Sequence, residues 1–218
     1  MEIIRKLTFY IRTFNRMSDQ INFPSTEDVQ RTFADAPANE IIAWTDHCKL
    51  GGTQCYAHSY PYRMKYYDNI TNQFPGGLFR YVTEVSLYDQ RPFEREFFVR
   101  IQKSFPVMQR LTIENKQPPT QKTNRNDEHP SIIEYSRLKQ LCFVDTHDDY
   151  LKQFLFHTEI SFPNNVGLTV GYESLKNVTN NFQQDETRIN CAKMNYYHHR
   201  DSEPSEDLKN YFASIRRC

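Results

Sequence analysis

One apolar template recurs along this chain. Val82-x-x-Val85-x-Leu87, Met108-x-x-Leu111-x-Ile113 and Leu138-x-x-Leu141-x-Phe143 share it, and Val166-x-Leu168-x-Val170 and Ile189-x-x-Ala192-x-Met194 continue it in looser form. The anchors Val85, Leu111, Leu141, Leu168 and Ala192 stand 26, 30, 27 and 24 residues apart. Alternation within each unit is that of a strand, whereas the intervening segments carry helical spacing: Phe93, Phe97, Ile101, Phe105; Leu151, Phe154, Leu155, Thr158; Leu175, Val178, Phe182. A strand and return helix of this size cannot bury their apolar faces alone, so neighbouring units must stack and share a core. Steps of roughly 20 to 29 residues are those of leucine-rich repeats. The predicted fold is α/β, an irregular leucine-rich-repeat-like solenoid with parallel strands and return helices over 53–195.

The longest step contains the polar run QPPTQKTNRNDEHP, which reads as an insertion over 117–130. Residues 1–52 are expected to form an N-terminal α/β extension or the first irregular repeats. There Leu7, Phe9 and Ile11 alternate like a strand, Ser25 to Asp28 resembles a capping box opening a short helix, and Glu40 to Cys48 reads as helical. Cys55 and Ala57 suggest an early strand, followed by a helix from Tyr62 to Phe74 with Met64, Tyr67 and Ile70 inward. Asp89 and Pro92 sit where an N-cap and a first-turn proline belong, and Phe105-Pro106 and Phe162-Pro163 read as helix ends. Residues 196–218, opening with YYHHRDSEP, read as a polar C-terminal tail.

Charge narrows the classes of partner. With 27 basic and 27 acidic side chains among 218 residues, composition imposes no basic face, so a nucleic-acid partner is disfavoured. Apolar stretches such as Ile41 to Trp44 fall far short of the roughly 20 residues of a membrane span. No secretory apolar region is legible near the N-terminus, and the five scattered cysteines suit reduced thiols. The expected location is intracellular, cytoplasmic or nuclear. G-x-S-x-G, G-x-x-x-x-G-K-[ST] and G-x-G-x-x-G are all missing from the sequence, so no cofactor and no enzymatic activity is expected.

Five segments, NFPSTEDVQRTF (22–33), NITNQFPGGLFRYVTEVSL (69–87), RPFEREFF (91–98), HDDYLKQFLFHT (147–158) and YESLKNVTNNF (172–182), resemble an uncharacterised family of leucine-rich-repeat-like proteins related to F-box proteins. The resemblance runs from about Asn15 to Met194. It implies a protein-recognition module, the substrate-recognition part of an F-box-like ubiquitin-ligase system. The F-box itself is not visible, so a ubiquitin-ligase scaffold would be engaged only through an F-box outside this chain.

Candidate sites follow from the alternation. If Val85, Leu87, Leu111, Ile113, Leu141 and Phe143 point inward, then Glu84, Ser86, Tyr88, Arg110, Thr112, Glu114, Gln140, Cys142 and Val144 line the opposite, concave face. Tyr and Arg on such a face suit a protein partner of unknown identity. Two alternatives belong to other classes. Asp145-Thr146-His147-Asp148-Asp149 would serve a metal-dependent hydrolase only if its carboxylates converged; otherwise Asp145 is a turn residue and Asp148 a helix N-cap. The segment from Tyr60 to Tyr67 interleaves aromatic and basic residues, which on a helix could stack on bases. His47, Cys48, Cys55 and His58 lack the C-x2-C spacing of a zinc site, and His198-His199 reads as a solvated pair.

Overall fold

The template residues form the inner face of one sheet. A computed structural model describes residues 9–16, 25–32, 41–48, 52–120, 131–198 and 205–217. The chain opens with β1 (Tyr10–Arg16), α1 (Thr26–Arg31), β2 (Ile41–Cys48) and β3 (Gly52–Ser59), in which β3 lies between β1 and β2 and runs antiparallel to both. Then come β4 (Tyr66–Ile70), β5 (Glu84–Tyr88), α2 (Arg95–Ser104), β6 (Arg110–Glu114), β7 (Ile133–Glu134), β8 (Gln140–Phe143) and α3 (Asp148–Leu155). They are followed by β9 (Ile160–Ser161), β10 (Val166–Thr169), α4 (Tyr172–Val178), α5 (Asp185–Cys191), β11 (Met194–His198), α6 (Glu206–Tyr211) and β12 (Ser214–Arg217). Seven of these strands form a parallel sheet in the order β12-β11-β10-β8-β6-β5-β4, and the short β7 and β9 pair with each other. The molecule is thus mixed α/β with a parallel sheet. No described helix is long and apolar enough to cross a membrane.

Register explains the template. Tyr67, Val85, Leu111, Leu141, Leu168, Tyr196 and Ile215 occupy one row across all seven strands, and Ile70, Leu87, Ile113 and Phe143 a second. Phe97, Phe98 and Ile101 of α2, Leu151 and Phe154 of α3, Leu175 of α4 and Leu208 of α6 join the same core, so these helices pack against one side of the sheet. At the entry to the strands one carbonyl binds two successive amides of the next segment. Lys65 O accepts from Thr83 N and Glu84 N (2.7 and 2.9 Å), Thr83 O from Gln109 N and Arg110 N (2.8 and 2.9 Å), and Gln109 O from Lys139 N and Gln140 N (2.7 and 2.9 Å).

Several local expectations are corrected. Glu40 to Cys48 is not helical: Ile41–Cys48 is β2, whose Trp44 stacks on Tyr56 of β3 at 3.8 Å between ring centroids. Cys55 and Ala57 lie on antiparallel β3 rather than in a unit of the parallel sheet. Tyr62 to Phe74 holds β4 instead of a helix, although Tyr67 and Ile70 are buried as expected. Their spacing of three comes from a bulge, where Asn69 takes φ 51°, a local departure from strand period. The last unit is shifted by four residues, since Tyr196 rather than Ala192 stands in the row of Val85, Leu111, Leu141 and Leu168. Ile189 is exposed on α5, and the strand is Met194–His198, with Met194 and Tyr196 buried.

Helix boundaries move as well. The first residue of α2 is Arg95, and Asp89 binds Asn72 and Arg91 rather than capping it. The N-cap of α3 is His147, whose Nδ1 accepts from Asp149 N at 3.2 Å, instead of Asp148. This helix ends at Leu155, and Pro163 follows β9. The capping box at Ser25 is as expected, with Asp28 as its second member. Where a polar tail is expected, the described part holds the end of β11, α6 and β12. Leu7, His199 and positions 121–130 of the polar insertion lie outside the described residues.

Candidate functional site

The face of the parallel sheet turned away from the core carries the residues singled out by alternation. Glu84, Arg110 and Gln140 are directly paired across β5, β6 and β8, as are Ser86, Thr112 and Cys142 one step further along. Tyr88 and Glu114 pair at the far end, and Val144 continues β8 through Val144 N donating to Ile113 O at 2.9 Å. Glu84, Arg110 and Val144 are exposed; the remaining face residues are half-buried. Parallel in-register pairing is what brings them together, because side chains of the same parity then align from strand to strand.

The face is polar with little internal pairing. Glu84 and Arg110 approach at 3.8 Å with both side chains about half in solvent, an exposed pair worth about 0–1 kcal/mol. Ser86 is committed to β4: its Oγ accepts from Asn69 N at 2.8 Å and lies 3.4 Å from Asp68 Oδ1. The face extends beyond the predicted set. Thr169, Tyr197 and Arg216 continue the row of Ser86, Thr112 and Cys142 across β10, β11 and β12. Tyr197 lies so close over Gly167 that a Cβ there would stand 2.7 Å from its Cε2, so the ring rests in a space only glycine leaves.

At the C-terminal ends of the strands, an open cleft of about 620 Å³ is lined by Lys116, Asp145, Thr146, His147, Asp148 and Gly171, among others. The acidic run does not converge there. Asp145 is a left-handed turn residue (φ 45°) 3.2 Å from Lys116, and Asp149 lies 3.5 Å from His147 Nδ1. Among the described residues no group of three or more His, Cys, Asp or Glu is placed to hold a metal ion. Cys55 and His58 occupy opposite faces of β3, with Cys55 lining a cleft beside α1 and His58 among Tyr62, Tyr67 and Phe79; the side chains of His47, Cys48 and His198 lie outside the description. Burial lowers the His58 pKa below its ordinary 6.5 and raises that of the Cys55 thiol.

A polar series escaped sequence reasoning. Asn72, Asp89 and Asn115 each stand two positions past the last buried residue of their strands, Ile70, Leu87 and Ile113. Asn72 N and Nδ2 donate to Asp89 Oδ2 (2.8 and 3.1 Å), and Asn115 Nδ2 donates to Arg91 O at 2.8 Å. Arg91 bridges buried Asp89 and Asp46 of β2 at 3.1 and 2.6 Å, fastening the two sheets through ions. Opposing charges on both carboxylates raise the Arg91 pKa against the desolvation that would lower it. The fixed offset after the template, Leu87-x-Asp89 and Ile113-x-Asn115, was the legible signal. In comparison with known proteins, the chain matches no family model, no curated protein and no solved structure.

Proposed function

We propose that this chain is a non-enzymatic protein-recognition module, an irregular leucine-rich-repeat-like solenoid that engages its partner through Glu84, Ser86, Tyr88, Arg110, Thr112, Glu114, Gln140 and Val144. One observation carries the reading. Seven parallel strands stand side by side, the named helices pack on one face, and the opposite face is a registered array of charge, hydroxyl and aromatic groups. Three features of this array suit a protein partner. Its pairs are few and solvent-exposed, so little must be broken on docking. Tyr88 and Arg110 are of the residue types that anchor interfaces. The face spans several strands, as interfaces of about 800 Å² per partner require.

The ubiquitin-ligase part of the proposal rests on the resemblance of the five quoted segments to proteins related to F-box proteins. In that setting the chain would select the substrate, and a scaffold would be met through an F-box outside it.

The test is a double substitution, Tyr88→Ala with Arg110→Ala, in crosslinking affinity purification from the protein's own cells. The expected result is loss of a specific partner with an unchanged melting temperature, since Arg110 is exposed and Tyr88 only half-buried. A partner list identical to that of the wild type would reject the face.

A further inference from the structure

The formal net charge is zero, but the charges are sorted. Turns entering the strands of the parallel sheet carry Arg63 and Lys65 before β4, Arg80 before β5, Arg137 and Lys139 before β8, and Lys193 before β11. The entry turns 60–65, 71–83, 105–109, 135–139, 162–165, 192–193 and 212–213 contain no aspartate or glutamate. Beyond the opposite strand ends, the first helical turns hold Glu96, Asp148, Asp149, Glu173, Glu206 and Asp207, where a helix N-terminus favours anions. The entry turns thus carry cations without carboxylates, and the first helical turns beyond the opposite strand ends carry carboxylates.

The basic rim is ordered by backbone geometry. The carbonyl chain from Lys65 through Thr83 and Gln109 to Lys139 places these residues on successive strands, with Gly167 N bound in turn to Lys139 O at 2.8 Å. Lys65 and Lys139 are thus three strand spacings apart, about 14 Å at ~4.8 Å each. Among the described residues none of the six basic side chains makes an ion pair, and all but Lys193 are exposed. The same rim exposes three aromatic rings: Tyr60, Tyr66 and Tyr81 are 52, 48 and 55% accessible, whereas the other tyrosines are buried or half-buried. Two strand carboxylates border the entry turns, Glu84, which faces Arg110, and Glu134 at the end of β7.

We infer that this rim binds single-stranded nucleic acid, with the lysines and arginines on its phosphates and the exposed tyrosines stacked on its bases. An unpaired row of cations calls for a polyanion, and solvent-facing rings beside it favour a polyanion with flat bases over an acidic peptide. The surface adjoins the open sheet face at Tyr66, which pairs with Glu84, but the inference does not depend on that reading. Double-stranded nucleic acid fits less well, because its bases are already stacked.

The test uses the whole chain and fluorescent 20-nucleotide oligo(dT) and oligo(rU), titrated from about 50 to 200 mM salt. Wild-type protein should bind at least one of the two, more tightly than a 20-residue poly-glutamate peptide, with a log-log salt slope of about −3 for four phosphates at ~0.7 each. Lys65→Gln, Arg80→Gln and Lys139→Gln together should weaken binding at least about tenfold and reduce the slope by about 2, leaving the melting temperature unchanged. Tyr66→Ala with Tyr81→Ala should weaken binding about fivefold or more at the same slope. No wild-type binding at low salt, equal binding of poly-glutamate, or indifference to both sets of substitutions would overturn the inference.

Discussion

The two ends of the parallel sheet are finished in different ways. At the β4 end the antiparallel sheet of β1, β2 and β3 packs alongside, and three tyrosine hydroxyls donate to carbonyls of β4: Tyr62 to Tyr66 O at 2.6 Å, Tyr10 to Asp68 O at 3.1 Å and Tyr56 to Asn69 O at 2.7 Å. Burial raises the pKa of all three phenols, which keeps them protonated and able to donate. At the other end β12 bonds to β11 alone among the described strands, and it is four residues long with two arginines. An edge strand invites pairing with other chains, which can be prevented by covering it or by keeping it short and charged. This chain uses the first device at one end and the second at the other. Covering costs much ordered structure, whereas charging costs almost none.

That contrast can be broken from the covered side. Trp44→Ala should have the largest effect, a loss of about 3–5 kcal/mol in denaturant titration, because it removes a buried ring stacked on Tyr56 whose Nε1 donates to Tyr67 of the parallel sheet at 3.4 Å. A loss under 1 kcal/mol would mean that the small sheet does not support the large one. Asp46→Ala should cost about 2 kcal/mol by the same measurement, less than the 3–5 kcal/mol of a buried ion left alone, since Arg91 keeps Asp89. Tyr10→Phe and Tyr62→Phe should each cost about 1 kcal/mol, the net value of one hydrogen bond. At the β12 end, Ser214→Ala removes the 2.6 Å hydrogen bond between half-buried Ser214 and buried Asn195 Oδ1 and should cost about 0.5 kcal/mol, at the low end of the range for one hydrogen bond. If it costs as much as the tyrosine changes, the asymmetry is lost.

The mildest effect near neutrality comes from His58, buried at the covered end with Nε2 unpartnered among the described residues. Its folded pKa is depressed below the unfolded value of 6.5, so its contribution is complete above that pH. As pH falls below 6.5 the unfolded chain takes up a proton that the folded one resists, and stability declines toward the folded pKa. Melting curves between pH 7 and 5 should show this decline, and His58→Phe should flatten it.

The difference between the ends also separates what the sequence made legible from what it hid. Val85, Leu111, Leu141 and Leu168 could be read because parallel strands impose the same alternation on every unit, and aliphatic residues mark it plainly. The next position in that row is Tyr196, four places past the expected Ala192, because the residues around it are of mixed character. At the covered end, a bulge spaced Tyr67 and Ile70 as a helix would, and Ile41 to Trp44 is apolar without a period. The open face was found residue by residue, for alternation alone decides it. Of the basic rim only the segment from Tyr60 to Tyr67 was legible, and as a helix; Arg80, Tyr81, Arg137, Lys139 and Lys193 were not, because net charge is a sum over the chain and erases where the charges stand.

The shared carbonyls at Lys65, Thr83 and Gln109 have a practical corollary. Each fastens a strand to its successor at the point of entry, whatever path the intervening chain has taken: 18 residues from Lys65 to Thr83, 26 to Gln109, and 30 to Lys139. The fastening is indifferent to the size of the excursion. A reporter peptide spliced between Thr120 and Ser131 should therefore be carried outside the sheet, and the molecule could be labelled there without being rebuilt.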